Sequence, residues 1–244
     1  MKKSILLVLL YLLIQTLVGG VLTLLVSQWS GVDRVSVIII ALFVADVVMA
    51  GILIQQGYLS DKQLIHPTTA KFLYWTFFAG ISAIFISDTI STITDFMPNW
   101  LENTFTNMEG TWFGVLAIAI VGPILEEMLF RGAITSVLLK AYTPKKAIIY
   151  SALIFGIFHI NPAQILTAFL MGLLLAWLFY KTHSLIPGIL IHILNNSLSV
   201  YFTRTYPGAD TLADLMGWES YGICLILAIA LLTFSIWQLN KVKG

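Results

Sequence analysis

The chain has 244 residues, 59% of them hydrophobic and 10% charged, with a mean hydropathy of +0.92. These values exclude an ordinary soluble domain, in which about 25% of residues are charged, and predict an integral membrane protein. The formal net charge of +1 gives no field that would draw nucleic acid.

A bilayer core of about 30 Å takes roughly 20 apolar residues per helix. On that measure the sequence predicts eight spans, over about 4–27, 36–56, 70–90, 112–139, 146–160, 163–181, 185–203 and 221–239. The expected fold is therefore all-α, a polytopic membrane helix bundle of about eight transmembrane helices. No internal repeat, low-complexity tract or long linker divides it, so residues 1–244 are read as one membrane domain. The opening MKKSILLVLLYLLIQTLVGG has the basic start and apolar run of a secretory signal. No A-x-A cleavage site follows, and the run continues from Val21 to Val26, so it is read as the first helix.

Cytoplasmic ends of spans carry the Lys/Arg excess. With the N-terminus inside, Lys2, Lys3, Lys62, Lys71, Lys140, Lys145, Lys146, Lys181, Lys241 and Lys243 all fall on the cytoplasmic side, leaving Arg34 and Arg204 outside. Both termini are therefore expected in the cytoplasm, and the expected location is a bacterial cell membrane. The outer loops hold Asp33, Asp95, Glu102, Glu109, Asp210, Asp214 and Glu219.

Asp46 in the second span and Asp88 at the end of the third are read as helix-packing hydrogen-bond or interfacial groups. Between the third and fourth spans, Phe96, Trp100, Leu101 and Phe105 at helix-like spacing predict a segment lying on the outer interface. Thr143–Pro144 and Asn161–Pro162 each read as an N-cap followed by a first-turn proline, bracketing the fifth helix. Ala168, Gly172 and Ala176 recur every four residues in the sixth, the small-residue stripe of close helix packing. His66 and His183 fall in cytoplasmic loops as solvated groups, and Cys224 in the last span reads as a small apolar filler.

The fourth span holds the chemistry, within GPILEEMLFRG at Gly122–Gly132. Charge in hydrocarbon is expensive, so such residues face a bundle interior and find partners there. Glu127 and Arg131 stand four apart on one helical face and are expected to pair. Glu126 points about 100° away and is left for another task. A purely structural ion-pair cluster is the competing reading. His159 follows Phe155 at helical spacing near the end of the fifth helix; alone it would be an ordinary hydrogen-bonded packing residue. His192 and Asn196 form an i,i+4 polar pair in the seventh, which interhelical hydrogen bonds could explain singly. A carboxylate, two imidazoles and an amide available to one cavity point instead to catalysis.

Peptide hydrolysis needs a base-activated water and donors aimed at the developing oxyanion. Glu126 with His159 suits the first task, and His192 with Asn196 the second. Two histidines and a carboxylate also permit a catalytic zinc site, with Glu126, His159 and His192 as ligands. No HExxH spacing is present, so a metal-free site is the expectation, with zinc as the alternative.

EEMLFRG at 126–132, FGIFH at 155–159 and HILNN at 192–196 resemble the three motifs EExxxR, FxxxH and HxxxN of the CPBP, or Abi, intramembrane proteases. That family includes eukaryotic CAAX-processing endopeptidases and bacterial proteins linked to bacteriocin processing or self-immunity. The resemblance covers about 112–203. It implies that Glu126 and His159 activate water, that His192 and Asn196 stabilise the oxyanion, and that Glu127 and Arg131 support the site. It also implies a helical bundle whose cavity opens to the cytoplasm or inner leaflet, acting on a peptide or membrane-protein substrate. The other readings are a proton- or ion-coupled transporter, against which no inverted repeat is found, and a non-proteolytic bacteriocin self-immunity protein.

Overall fold

The computed structural model describes residues 1–26, 33–59, 66–209 and 211–242. Lys62, Asp210 and Lys243, used in the charge reading, lie outside the described residues. Every regular element among the described residues is a helix: α1 (Lys2–Val26), α2 (Arg34–Gln55), α3 (Ala70–Ile93), α4 (Glu102–Glu109), α5 (Trp112–Ala141), α6 (Pro144–Phe158), α7 (Pro162–Thr182), α8 (Ile186–Thr205), α9 (Leu212–Met216) and α10 (Trp218–Lys241). Helices are what continuous apolar runs of about 20 residues form in lipid, where no water satisfies backbone N–H and C=O groups.

Among the described residues six helices, α1, α2, α3, α5, α7 and α10, are long and apolar enough to cross a membrane. The chain is thus a multi-pass integral membrane protein, with six such helices where eight are expected. The predicted fifth and seventh spans are present as α6 and α8, but neither is an ordinary span. At about 1.5 Å per residue, the 15 residues of α6 fall short of a bilayer core. The 20 residues of α8 suffice in length, but His192, Asn195 and Asn196 dilute its apolar character. Both are held inside the bundle, α6 along α7, and α8 against α3, α5 and α7.

Because lipid tails are as apolar as leucine, helices here are held by close packing rather than by hydrophobic transfer. The small-residue stripe on α7 serves that end. A Cβ at Gly172 would stand 3.2 Å from the Ala152 Cα and 3.1 Å from the Phe155 ring, so α6 approaches to near contact. Ala176 is fully buried beside it. One core joins α1, α2, α5 and α6 through Tyr11, Met49, Leu53, Leu125, Leu129, Phe130 and Phe155. A second joins α3, α7, α8 and α10 through Phe72, Leu175, Ile191 and Leu239.

Asp46 and Asp88 take the packing roles expected of them. Tyr11 of α1 donates to Asp46 of α2, and Tyr221 of α10 donates to Asp88 of α3 at 2.6 Å. The segment before α5 differs from expectation. Only Glu102–Glu109 is regular helix, and Phe96 and Trp100, both exposed, stand in turns ahead of it.

α5 is not uniform. Two stretches, Ala117–Val121 and Met128–Thr135, are wound as π-helix, a geometry that appears in short insertions and often at functional sites. They flank the Gly122–Glu127 turn and set the rotation at which its carboxylates and Arg131 face their neighbours.

Candidate active site

Glu127 and Arg131 pair as the sequence predicts: Arg131 Nη1 donates to Glu127 Oε1 at 2.7 Å, and both side chains are fully buried. A buried cation needs more than one partner. The guanidinium also lies over the Phe155 ring, 4.2 Å from its centroid, with Nη2 3.5 Å from the Gly172 carbonyl. Phe155 thus does more than mark a motif. Its ring meets Arg131 on its face and His159 and His192 edge-on, at 4.8 Å and 5.7 Å between centroids.

The same Glu127 oxygen accepts from a second donor, His192 Nδ1, at 3.1 Å. That bond orients the imidazole and turns its other nitrogen, Nε2, toward Glu126, 3.7 Å from Oε2. A carboxylate fixing one ring nitrogen so that the other is presented for chemistry is a common device for histidine. Glu126 Oε2 has no hydrogen-bond partner although it is covered. Arg131, Glu127, His192 and Glu126 therefore form a buried line of alternating function, three members bonded and the last held in readiness. Close approach of α8 is what allows it. A Cβ at Gly188 would come within 2.5 Å of Glu127 Oε2, so only glycine leaves that carboxylate its place.

Asn196 lies one turn beyond His192. Its Nδ2 donates to the backbone carbonyl of Ile118 at 2.9 Å, and its Oδ1 accepts from Asn195 Nδ2 at 3.0 Å. The Ile118 carbonyl is free for a sequence reason. In this stretch Gly122 N–H reaches back five residues to Ala117, so the next donor in register would be residue 123. That residue is proline, which has no N–H. The amide of Asn196 is thereby fixed with one N–H on the helix and one remaining.

His159 closes α6 as its C-terminal cap. Its Nδ1 is bonded to the Phe155 carbonyl at 2.9 Å, which directs Nε2 away from its own helix. It makes no ion pair with Glu126; His192 is the imidazole that faces this carboxylate. The structure thus brings Glu126, Glu127, Arg131 and His192 into direct contact, anchors Asn196 to the adjoining helix, and sets His159 beyond the Phe155 ring. Among the described residues no group of three His, Cys, Asp or Glu side chains is spaced to hold a metal ion.

Sequence reasoning did not reach Asn195, Gly188 or the Ile118 carbonyl. The proline at 123, in phase with a polar residue on another span, is the one signal that could have pointed to the last.

The described residues thus form a membrane helix bundle that gathers a carboxylate, an imidazole and a buried ion pair on short or polar internal helices. The family described as type II CAAX prenyl endopeptidase, Rce1-like, matches residues 108–198. The segment similar to that family carries Glu126, Glu127, Arg131, His159, His192 and Asn196. Two relatives agree. The protein named "Putative membrane peptidase YdiL" in Bacillus subtilis is 34% identical over 86 residues, 35% of this chain and 35% of that protein. "Membrane-embedded CAAX protease MroQ" of Staphylococcus aureus is 31% identical over 101 residues, 39% of this chain and 41% of that protein. The chain thus spans well under half the length of the curated relatives it matches. No solved structure matches.

Proposed function

We propose that this protein is an intramembrane endopeptidase that hydrolyses a peptide bond with a water activated by Glu126. The observation that carries the reading is the buried line from Arg131 through Glu127 and His192 to an unbonded Glu126 oxygen. A structural ion pair would end at Arg131 and Glu127; here a second carboxylate stands beyond it, 3.7 Å from His192 Nε2 and without a hydrogen bond at Oε2.

Glu126 takes a proton from water as its oxygen attacks the carbonyl carbon, with His159 orienting that water from the far side of Phe155. The carbonyl oxygen becomes an oxyanion, which His192 Nε2–H and the remaining Asn196 N–H stabilise; the imidazole donates from Nε2 when it carries both ring protons. Glu126 then returns the proton to the amide nitrogen as the C–N bond breaks, releasing an amine and a carboxylic acid that loses its remaining proton to become the carboxylate. Such donors act strongly where water is excluded. Glu127 and Arg131 hold His192 in place. The chemistry is read as metal-free, carried by these side chains.

The lysines support an orientation with both termini in the cytoplasm, which places the start of α8 at the inner side. The substrate class is a peptide or membrane-protein segment presented to the bundle in the bilayer.

The purified protein in detergent should cleave a quenched fluorescent peptide library, and Glu126→Gln should abolish cleavage while its thermal unfolding stays unchanged. Retained cleavage in that variant, or ion uptake into liposomes with no cleavage by the wild type, overturns the proposal. A chelator series with metal analysis tests the metal-free reading: full activity at substoichiometric metal is expected, and chelator-sensitive cleavage restored by zinc refutes it.

A further inference from the structure

The turn that ends at the candidate site has an unusual construction. α6 stops at Phe158, α7 begins at Pro162, and the chain reverses through His159, Ile160 and Asn161 alone. Ile160 has φ of 59°, the left-handed region in which a β-branched side chain clashes with its own backbone. A residue keeps such a conformation only where its surroundings over-determine it, and such residues gather at active sites.

The group that holds this turn is the next side chain. Asn161 occupies the N-cap position of α7, where its amide would ordinarily accept from its own helix; it makes no such bond. Instead its Nδ2 donates to Asn99 Oδ1 at 2.8 Å, and its Oδ1 accepts from the Trp100 backbone N–H at 3.0 Å. The side chain is almost completely buried. Both ends of one amide thus grip the connector between α3 and α4, some sixty residues earlier in the chain, while Pro162 contributes no backbone donor. His159 is two residues away, and its ring is held through Nδ1 and by edge-on contacts with Phe155 and Phe158, the last residues of α6 before the turn. The ring's aim therefore follows the backbone that Asn161 pins.

We infer that Asn161 is a positioning residue for His159: through its paired bonds to Asn99 and the Trp100 N–H, it clamps the strained turn and fixes where the imidazole points. This rests on the reading of His159 as part of the hydrolytic site.

The test compares Asn161→Ala, Asn99→Ala and Asn161→Asp in the purified protein, each with and without His159→Ala. Asn161→Ala should lower kcat by about tenfold or more with KM within about twofold, the pattern of a group that acts in the transition state. The same substitution should cost nothing further in the His159→Ala background. Asn99→Ala, which removes one of the two bonds from the other end, should lower kcat in the same sense. Asn161→Asp, whose carboxylate still accepts from Trp100 and from a turned-over Asn99 amide, should recover to within about threefold of wild type. An equal loss with and without His159, or an unchanged kcat, overturns the inference.

If the wild type cleaves nothing, the endopeptidase reading fails separately. The clamp is then judged by ring 15N signals of histidine-labelled protein, with those of His159 identified by their loss in His159→Ala. Asn161→Ala should shift the His159 signals and leave those of His66 and His183 unmoved; an unaltered His159 spectrum refutes the clamp.

Discussion

Gly188→Ala is a demanding probe of the site because it adds one methyl group and no charge. The new Cβ would stand 2.5 Å from Glu127 Oε2, against the 3.4 Å at which ordinary contact begins. About 0.9 Å must be yielded, and little nearby is free to yield it. The other oxygen of Glu127 is held by Arg131 at 2.7 Å and by His192 at 3.1 Å, inside a fully buried pocket. The bond to His192 is the longer and gives first. A hydrogen bond to a charged group contributes about 1.5–3 kcal/mol, and each 1.36 kcal/mol in the barrier is tenfold in rate. Losing the Glu127–His192 bond should therefore lower kcat by roughly 10- to 150-fold. Stability should fall as well, because overpacking a buried site costs about 1–3 kcal/mol, offset only in part by the helical preference for alanine over glycine of up to about 1 kcal/mol. The assay is peptide cleavage in detergent alongside thermal unfolding of the same preparation. A variant with kcat within twofold of wild type would show that the Glu127–His192 contact does not matter to the reaction. A fall in activity matched by an equal fall in folded fraction would show only that the helices had been forced apart.

Arg131→Met should be destabilising by about 3–5 kcal/mol, because it leaves Glu127 charged and buried without its main partner; chemical unfolding in micelles measures it. The paired change Arg131→Met with Glu127→Leu should regain much of that loss while remaining inactive. Pro123→Ala restores an N–H in register with the Ile118 carbonyl, which then competes with Asn196; kcat should fall several-fold with unfolding temperature unchanged or raised, and an unaltered kcat would remove Asn196 orientation from the mechanism. Burial holds the Glu109 carboxyl above its ordinary value of 4.5, opposed by the nearby Arg204. Its folded form therefore binds the proton more tightly than its unfolded form. Its contribution to stability should be greatest below pH 4.5 and decline as pH rises through the raised value. The difference in unfolding temperature between wild type and Glu109→Gln, followed across that range, should show this slope, and a difference independent of pH would contradict it.

Much of this architecture is legible without coordinates because its causes are local or compositional. Continuous runs of about 20 apolar residues satisfy their backbone in lipid as helices, and they locate those helices whatever they pack against. Glu127 meets Arg131 because four residues bring side chains onto one face. Thr143–Pro144 starts α6 and Asn161–Pro162 starts α7 at the residues expected, since proline at the first turn is a backbone rule.

What the sequence leaves open depends on partners far along the chain. It marks Asn161 as a cap, but a buried amide takes whichever partners surround it, and here those are Asn99 and Trp100. It groups Glu126 with His159, whereas the imidazole that reaches Glu126 is His192, brought in from 66 positions away by the packing of α8 on α5. The two π-wound stretches turn the α5 face by amounts that no regular periodicity records. By itself, then, the sequence determined the membrane class, the helix positions and the charged residues that must face inward, because solvation and helical repeat act residue by residue. Only the tertiary structure decided which carboxylate meets which imidazole, because that depends on the relative rotation and depth of two helices, and close packing fixes both only when the whole bundle assembles.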